Sequence, residues 1–340
     1  MGLVTPSAKR IADLMGAFPR ARIAVIGDFV ADIYLHAVPT RLSREAPVMI
    51  VSYQGERFIP GGAANSVNNL LALGADVVPV GVVGDDIEGR KLAGFFAERC
   101  KDTSGLLAAP GRETVAKTRI MVGEEYRSRQ QVLRIDREPK LLVGPDDRRA
   151  LIRKLESILP TVDAVLFSDY GYGLIDAAIV GAVMANRKKA IVTADSRYAL
   201  DLFKGVDVVT PNHAEAAEFV RHSVSTDEDA ARAGRALHEA LGTRAVIVTR
   251  GNRGMMLRNE RGESEFIPAA TYLGEVTDVS GAGDTVISVL TLALVSGASY
   301  LEAALLANFG AGVVVTKPGA ATCSPEELLR AATMANWEAR

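Results

Sequence analysis

Two cysteines in 340 residues, Cys100 and Cys323, are too few for a disulfide framework and fit a reducing compartment. Neither stands in a Cys-x-x-Cys or Cys/His cluster, and the four histidines, His36, His213, His222 and His238, lack the spacing of metal ligands. Charge of one sign is also missing. With 39 Lys and Arg against 41 Asp and Glu, the formal net charge of −2 leaves no electrostatic footprint for nucleic acid or an anionic membrane. Local basic groups such as Arg127 with Arg129, or Arg187-Lys188-Lys189, read as solvated surface. No apolar run approaches the roughly 20 residues needed to span a bilayer. Lys9, Arg10, Asp13, Arg20 and Arg22 interrupt any apolar core of a secretory signal, and Pro6 stands where a myristoylation signal wants Ser or Thr. The expectation is a cytoplasmic protein. Two common phosphate-binding signatures are absent as well: G-x-x-x-x-G-K-[ST] occurs nowhere, and no strand leads into G-x-G-x-x-G.

The hydrophobic content of 48% is ample for a large core. Short β-branched runs recur at Ile23 to Ile26, Val77 to Val83, Val162 to Phe167, Ala190 to Thr193, Val206 to Val209 and Ala245 to Val248. Between them lie helical patterns at Ala63 to Leu73, Gly89 to Cys100, Asp146 to Ile158, Asp176 to Asn186, His213 to Val220 and Asp227 to Leu241. This alternation predicts an α/β fold, a doubly wound and mainly parallel sheet with helices on both faces. Val48 to Tyr53 and Thr114 to Gly123 with Gln131 to Ile135 alternate apolar and polar residues, as half-exposed strands do. They predict a small inserted β-sheet, with lid strands at about 33–60 and 110–136, on a single domain spanning 1–340. An exposed lid sheet is an edge that needs covering, which suggests a homodimer through the lid.

Polar residues follow each apolar run: Gly27-Asp28, Gly84-Asp85, Ser168-Asp169, Asp195, Asn212 and Arg250-Gly251. In open parallel sheets ligands bind beyond the carboxyl ends of the strands, so these residues define the expected crevice. The most informative segment is Thr277-Asp278-Val279-Ser280-Gly281-Ala282-Gly283-Asp284-Thr285, followed by the apolar stretch Val286 to Val295. Backbone amides of Gly281, Ala282 and Gly283 at a helix N-terminus would attract an anion. Asp284 would repel that anion unless it had a second use, and taking a proton from an attacking hydroxyl supplies one. The pattern predicts phosphoryl transfer to an alcohol. Asp28 and Asp32 with Gly61-Gly62-Ala63-Ala64-Asn65 suit a polyhydroxylated ligand, because carboxylates and Asn side chains satisfy paired hydroxyls. Asn212 and Glu215 could hold Mg²⁺ through waters, although Glu215 also reads as an ordinary first-turn helix acid.

On these residues, together with Thr249-Arg250-Gly251 and Ala307-Asn308-Phe309-Gly310-Ala311-Gly312, the chain resembles the ribokinase-like (PfkB) family of carbohydrate kinases over nearly its whole length. The resemblance implies ATP-dependent phosphorylation of a sugar hydroxyl. It implies Asp284 as base, the Gly281 to Gly283 amides as anion hole, and Asn212 and Glu215 near Mg²⁺. Thr249, Gly251, Gly254, Asn308 and Asn212 would border the nucleotide, while Asp28, Asp32, Gly61, Gly62, Asn65 and Asp169 would bind the sugar. Asp278 matches a ligand position for a monovalent cation, K⁺, used by some family members. Within the family, Gly27-Asp28, Arg41 to Val48 and Ser168-Asp169-Tyr170 are most similar to D-glycero-β-D-manno-heptose-7-phosphate kinases. Those kinases carry Pro at 44, Lys at 172 and Asp-Pro-Lys at 195 to 197, where this chain has Arg44, Tyr172 and Asp195-Ser196-Arg197. Arg44 or Arg197 could replace the cation that Tyr172 removes. An unphosphorylated sugar or nucleoside is the alternative acceptor, and a sugar-binding protein without catalysis the alternative class. The chain ends at Arg340, so a fused adenylyltransferase domain is not expected.

Overall fold

Each of the six β-branched runs becomes a strand of one sheet, because residues with apolar neighbours on both sides must be covered on both faces. The computed structural model describes residues 6–123, 130–139, 143–270 and 274–334, so Arg127 and Arg129 lie outside the described residues. Along the chain, α1 (Ala8–Ala17) precedes β1 (Arg22–Gly27), and Asp28 alone separates β1 from β2 (Phe29–Leu42). The chain returns as β3 (Met49–Gly62) and runs directly into α2 (Ala63–Ala72). Next come β4 (Asp76–Gly84), α3 (Ile87–Arg99), β5 (Leu106–Ala109), β6 (Val115–Val122) and β7 (Gln130–Arg137). Then α4 (Pro145–Ile158), β8 (Ala164–Asp169), α5 (Ala177–Asn186), β9 (Ile191–Ser196), β10 (Val208–Val209), α6 (His213–Val220), α7 (Asp227–Leu241) and β11 (Ala245–Thr249) follow. A hairpin of β12 (Met255–Arg258) and β13 (Ser264–Ile267) leads to α8 (Ala282–Val295), α9 (Tyr300–Val314) and α10 (Pro325–Met334).

The main sheet has nine strands in the order β13-β12-β11-β10-β9-β8-β1-β4-β5. It is parallel from β11 to β5, and β12 and β13 extend it as antiparallel strands. Alternate residues of a strand face opposite layers. Thus Ile23 and Val25 of β1 join a core with α1, α2, α8 and α9, whereas Ala24 and Ile26 join a second core with α4, α5 and α7. The helix α8 is buried along nearly its whole length, so its polar residues need partners. Thr285 donates to Asn69 Oδ1 at 3.0 Å, Ser288 to the Ser66 carbonyl at 3.2 Å, and Thr291 shares a 2.7 Å bond with Thr193. These contacts fix α8 against α2 and the sheet.

A separate four-stranded sheet in the order β3-β2-β6-β7 is built from the segments expected to form a lid, and is called the lid sheet below. Its β2 and β3 pair antiparallel from Phe29 opposite Gly62 out to Leu42 opposite Met49, and β6 pairs parallel to β2. The inner strands reach beyond the expected boundaries of 33 and 60, to Phe29 and Gly62. The lid sheet is therefore rooted beside Asp28, which follows β1, and beside the start of α2, which carries Asn65. Its outer part exposes Val48, Met49, Tyr53, Val132, Leu133 and Ile135, each more than half accessible. Both cysteines are free thiols.

Candidate active site

Gly281 caps α8 in the left-handed region at φ 77, and a side chain there would meet the Asn65 amide as well as backbone strain. The three amides expected to be free are not equivalent. Ala282 donates to the Val279 carbonyl at 3.2 Å, whereas Gly281 and Gly283 donate to no described residue and are available to an anion. In the same first turn, next to Gly283, Asp284 is 3% exposed and accepts hydrogen bonds from Asn65 Nδ2 at 2.9 Å, the Tyr170 hydroxyl at 2.9 Å and Ser66 Oγ at 3.3 Å. Burial pushes its carboxyl up to about 6, against the pull of the Asn65, Tyr170 and Ser66 hydrogen bonds. A carboxyl so tuned is ionised near neutrality and still a competent proton acceptor.

The residues expected at the sugar converge beside Asp284 but divide in use. Asp28 ends its strand with Oδ2 accepting the amides of Tyr170 at 3.0 Å and Tyr172 at 3.1 Å, and burial pushes it up to about 6. Asp32 is paired with Arg119 of β6, whose guanidinium lies 5.2 Å from the centre of the Tyr34 ring. Gly62 adopts φ 57, and a side chain there would strike the Asp28 carbonyl; Gly61 lies against the Asp32 carboxylate. Asn65, expected on the sugar, is spent on Asp284. Asp169 is spent between neighbouring strand ends, accepting from Ser196 Oγ of β9 at 2.6 Å and the Gly171 amide at 3.0 Å. Arg44 belongs to the turn joining β2 and β3, remote in sequence register from Phe29 and Gly62.

On the other side of the α8 N-terminus lies a cavity of about 300 Å³, lined among others by Thr249, Gly251, Gly254, Ala282, Gly283 and Asn308. Met255, Val276, Val279, Val286 and Val315 make its wall largely apolar, as a flat aromatic base requires. Asn308 is held by donating to the Pro268 carbonyl at 2.9 Å. Asn212 lies outside this lining and caps α6. Its Oδ1 accepts the amides of Ala214 at 2.8 Å and Glu215 at 3.0 Å, and Glu215 Oε2 accepts the Asn212 amide at 2.8 Å. The helix-acid reading of Glu215 is thereby realised, and one carboxylate oxygen remains.

Glu215 has a second carboxylate, Asp195, within its field. Burial and the Glu215 charge raise Asp195 well above the usual carboxylate range, and burial raises Glu215 as well. Asp195 lies close to Gly283 and accepts from Thr210 Oγ1 at 3.3 Å. Among the described residues no group of three or more His, Cys, Asp or Glu could ligate a metal directly. Two half-buried carboxylates within each other's field, one of them close to Gly283, suit a divalent cation that keeps most of its water. Asp278 accepts the amides of Ser280 at 2.9 Å and Gly319 at 3.0 Å; burial opposes ionisation, yet these bonds hold its carboxyl below the usual range.

Sequence reasoning missed Ser66, Tyr170 and Arg119, which contact the candidate residues. Ser66 follows Asn65 on α2 and Tyr170 follows Asp169, so adjacency to a candidate was the available signal. Nothing in the spacing of Arg119 marks it until β6 is paired with β2.

A parallel sheet covered on both faces, a rooted β-lid and a helix N-terminus between two crevices define a ribokinase-like α/β protein. A ribokinase from Arabidopsis thaliana, solved with ribose and ATP, superposes with TM-score 0.70 at 20% identity, covering 93% of this chain and 99% of its own. Phosphofructokinase-2 from Escherichia coli, solved with potassium, gives 0.71 at 17% identity, covering 92% of this chain and 99% of its own. Residues 20–327 match the pfkB family of carbohydrate kinases, and the chain belongs to that family. Curated relatives include the bifunctional protein HldE of Paramagnetospirillum magneticum, 37% identical over 324 residues, and that of Geobacter sulfurreducens, 38% identical over 326. The alignments cover 94% of this chain but 64% and 65% of those relatives.

Proposed function

We propose that the protein transfers the γ-phosphoryl group of MgATP to a sugar hydroxyl, with a heptose 7-phosphate or similar phosphosugar as acceptor. The observation that carries this reading is the junction at α8. A buried carboxylate, Asp284, stands in the same first turn of α8 as two unengaged amides, Gly281 and Gly283, between an apolar cavity and a cluster of polar strand ends. The heptose assignment draws on the Gly27-Asp28, Arg41 to Val48 and Ser168-Asp169-Tyr170 resemblance.

In this scheme the acceptor hydroxyl displaces one of the donors on Asp284 and gives its proton to that carboxylate. The sugar oxygen then forms a bond to the γ-phosphorus as the bond from phosphorus to the β,γ-bridging oxygen breaks, leaving ADP. Gly281 and Gly283 donate to the phosphoryl oxygens as charge moves onto them. Thr249, Gly251, Gly254 and Asn308 border the nucleotide. Asp195 and Glu215 would hold Mg²⁺ through water, with Asn212 setting the start of α6; the ion supplies charge neutralisation to the phosphates. Asp278, kept anionic by its amide bonds, is the candidate for a K⁺ ligand beside the anion hole. A second copy of the chain covering the outer lid would bury Val48, Met49, Leu133 and Ile135.

The test is ADP production across free and phosphorylated hexoses and heptoses, in potassium and in sodium buffers. ATP-dependent phosphorylation that Asp284→Asn abolishes supports the reading. Sugar binding with no ADP formed under any condition would overturn it in favour of a binding protein, and turnover indifferent to a sugar phosphate would move the acceptor to an unphosphorylated sugar.

A further inference from the structure

Asparagine is a poor choice for a buried helix position, because it competes with the backbone for hydrogen bonds and a buried amide costs free energy unless its groups are paired. The helix α2 nevertheless buries Asn65 and Asn69, one turn apart on the face that meets α8. Their bonds run in one direction. Asn69 Nδ2 donates to the Asn65 main-chain carbonyl at 2.9 Å and to Asn65 Oδ1 at 3.3 Å, while Asn69 Oδ1 accepts from the Thr285 hydroxyl at 3.0 Å. A main-chain carbonyl only accepts, so the Asn69 amide has one orientation, with its amino group toward Asn65 and its oxygen toward Thr285. That orientation fixes the next amide. With Oδ1 engaged by Asn69, Asn65 presents Nδ2 to its other neighbour, Asp284 Oδ2, at 2.9 Å. Gly281 leaves the room for it, since a Cβ there would lie 2.4 Å from Asn65 Nδ2.

We infer that Asn69 is a positioning residue, which locks the side-chain amide of Asn65 in the flip that aims its amino group at Asp284 and so holds the proposed base charged and in place. An unrestrained asparagine amide turns about its last torsion at little cost. It would follow the state of the acid, donating to the carboxylate and, after a half-turn, accepting from the protonated carboxyl. The lock removes the second option. The protonated form is denied a hydrogen-bond partner and the charged form keeps one. The same lock occupies Asp284 Oδ2 and leaves Oδ1, which faces Tyr170 and Ser66, as the oxygen that meets an incoming hydroxyl. No side chain of α2 is titratable. The titratable groups in the field of Asp284 are Tyr170 after β8, Asp195 on β9 and Asp32 on β2, and Glu302 of α9 is held by Arg10 beyond the C-terminal end of α8. The role rests on the kinase reading for the use of Asp284 as base, but the charge state of Asp284 can be measured without substrates.

The experiment follows the Asp284 carboxyl carbon by NMR titration of the full chain without ligands, its resonance assigned by loss in Asp284→Asn. Wild-type protein is compared with Asn69→Leu, the smaller Asn69→Ala, Asn65→Ala and Asn65→Ala/Asn69→Leu, with thermal melts to verify folding. The expected result is a titration midpoint about half to one pH unit higher in either Asn69 variant, with the acid limb of kcat/KM moving alongside and the KM for ATP little changed. In the Asn65→Ala background Asn69→Leu should add no further shift, because the effect passes through Asn65. Loosened packing has the opposite sign, since water reaching a buried carboxyl lowers its midpoint toward the ordinary 3.8. A midpoint that stays or falls in the folded Asn69 variants would overturn the lock, as would an equal rise when Asn65 is already alanine. ADP production by the wild type separates the two ideas. An active kinase whose Asp284 is unmoved by Asn69→Leu loses the lock alone, whereas a shifted Asp284 in a protein that phosphorylates no sugar sustains the lock and removes the kinase reading.

Discussion

The Tyr170 hydroxyl donates to Asp284 Oδ1 at 2.9 Å, joining the end of β8 to the first turn of α8 across 114 positions of sequence. This bond stabilises the ionised carboxylate, as do those from Asn65 and Ser66, while burial and the Asp32 charge oppose it. The hydroxyl is thus a donor that an incoming sugar hydroxyl can replace.

Activity is expected to fall as pH falls through about 6, where Asp284 becomes protonated and can no longer accept a proton. Tyr170→Phe removes a bond that favours the charged form, so the acid limb should move upward by about half to one pH unit. A pH profile of kcat/KM checks this, and an unmoved limb would deny Tyr170 its influence on the base.

Asp284→Asn should lower kcat by about 10²- to 10⁴-fold while the protein remains folded. The native carboxyl holds its proton up to about 6 and the unfolded one only to about 3.8, so the group's contribution to stability declines as pH rises between those values. Above them, burying the charge costs about 1–3 kcal/mol, which the amide avoids. A melting temperature at pH 8 equal to or above that of the wild type is the expected outcome, read by circular dichroism alongside an ADP-release assay.

Ala311 lines the apolar cavity from α9. Ala311→Leu adds three carbons that should fill part of its 300 Å³ and weaken ATP binding by about tenfold or more, tenfold being the lower end of what one misplaced methylene costs in an apolar pocket. Sugar binding should be little changed. Calorimetry with each ligand separates the two crevices.

The Arg119–Asp32 pair is largely shielded, with side-chain exposures of 15% and 11%. Arg119→Met strands Asp32 and should cost about 2–4 kcal/mol in urea unfolding, most of it regained in Arg119→Met/Asp32→Asn. A loss under about half a kcal/mol would class the pair with ordinary surface bridges.

A wild-type dimer is expected in sedimentation at micromolar concentration, and Leu133→Glu with Ile135→Glu should yield monomers by setting charges on the outer lid face. Their exposures of 53% each leave room for the carboxylates in a folded monomer.

The parallel sheet was readable because β-branched runs alternate with amphipathic stretches, and α6 and α7 begin and end where the pattern places them. The hairpin of β12 and β13 was not, since Met255 to Arg258 and Ser264 to Ile267 are short and compositionally mixed. Gly281 to Asp284 could be read as a unit because its chemistry is local. The partners of Asp284 could not, since Asn65 and Tyr170 reach it only after α2, β8 and α8 have packed together. The Asn212 and Glu215 spacing carried both a capping and a metal reading; the capping bonds are present, and the remaining Glu215 oxygen keeps the second use available.

The lid's inner strands begin after the single residue Asp28 and end at Gly62, immediately before α2, with Phe29 opposite Gly62 at the root and Leu42 opposite Met49 at the tip. Changes at the tip can alter what the hairpin touches without altering the spacing of Asp28 and Asn65, whereas an inserted residue at the root would displace both. If association runs through the tip and the acceptor binds at the root, as proposed, chimaeras that exchange residues 43–48 should inherit the donor's association while keeping the recipient's sugar.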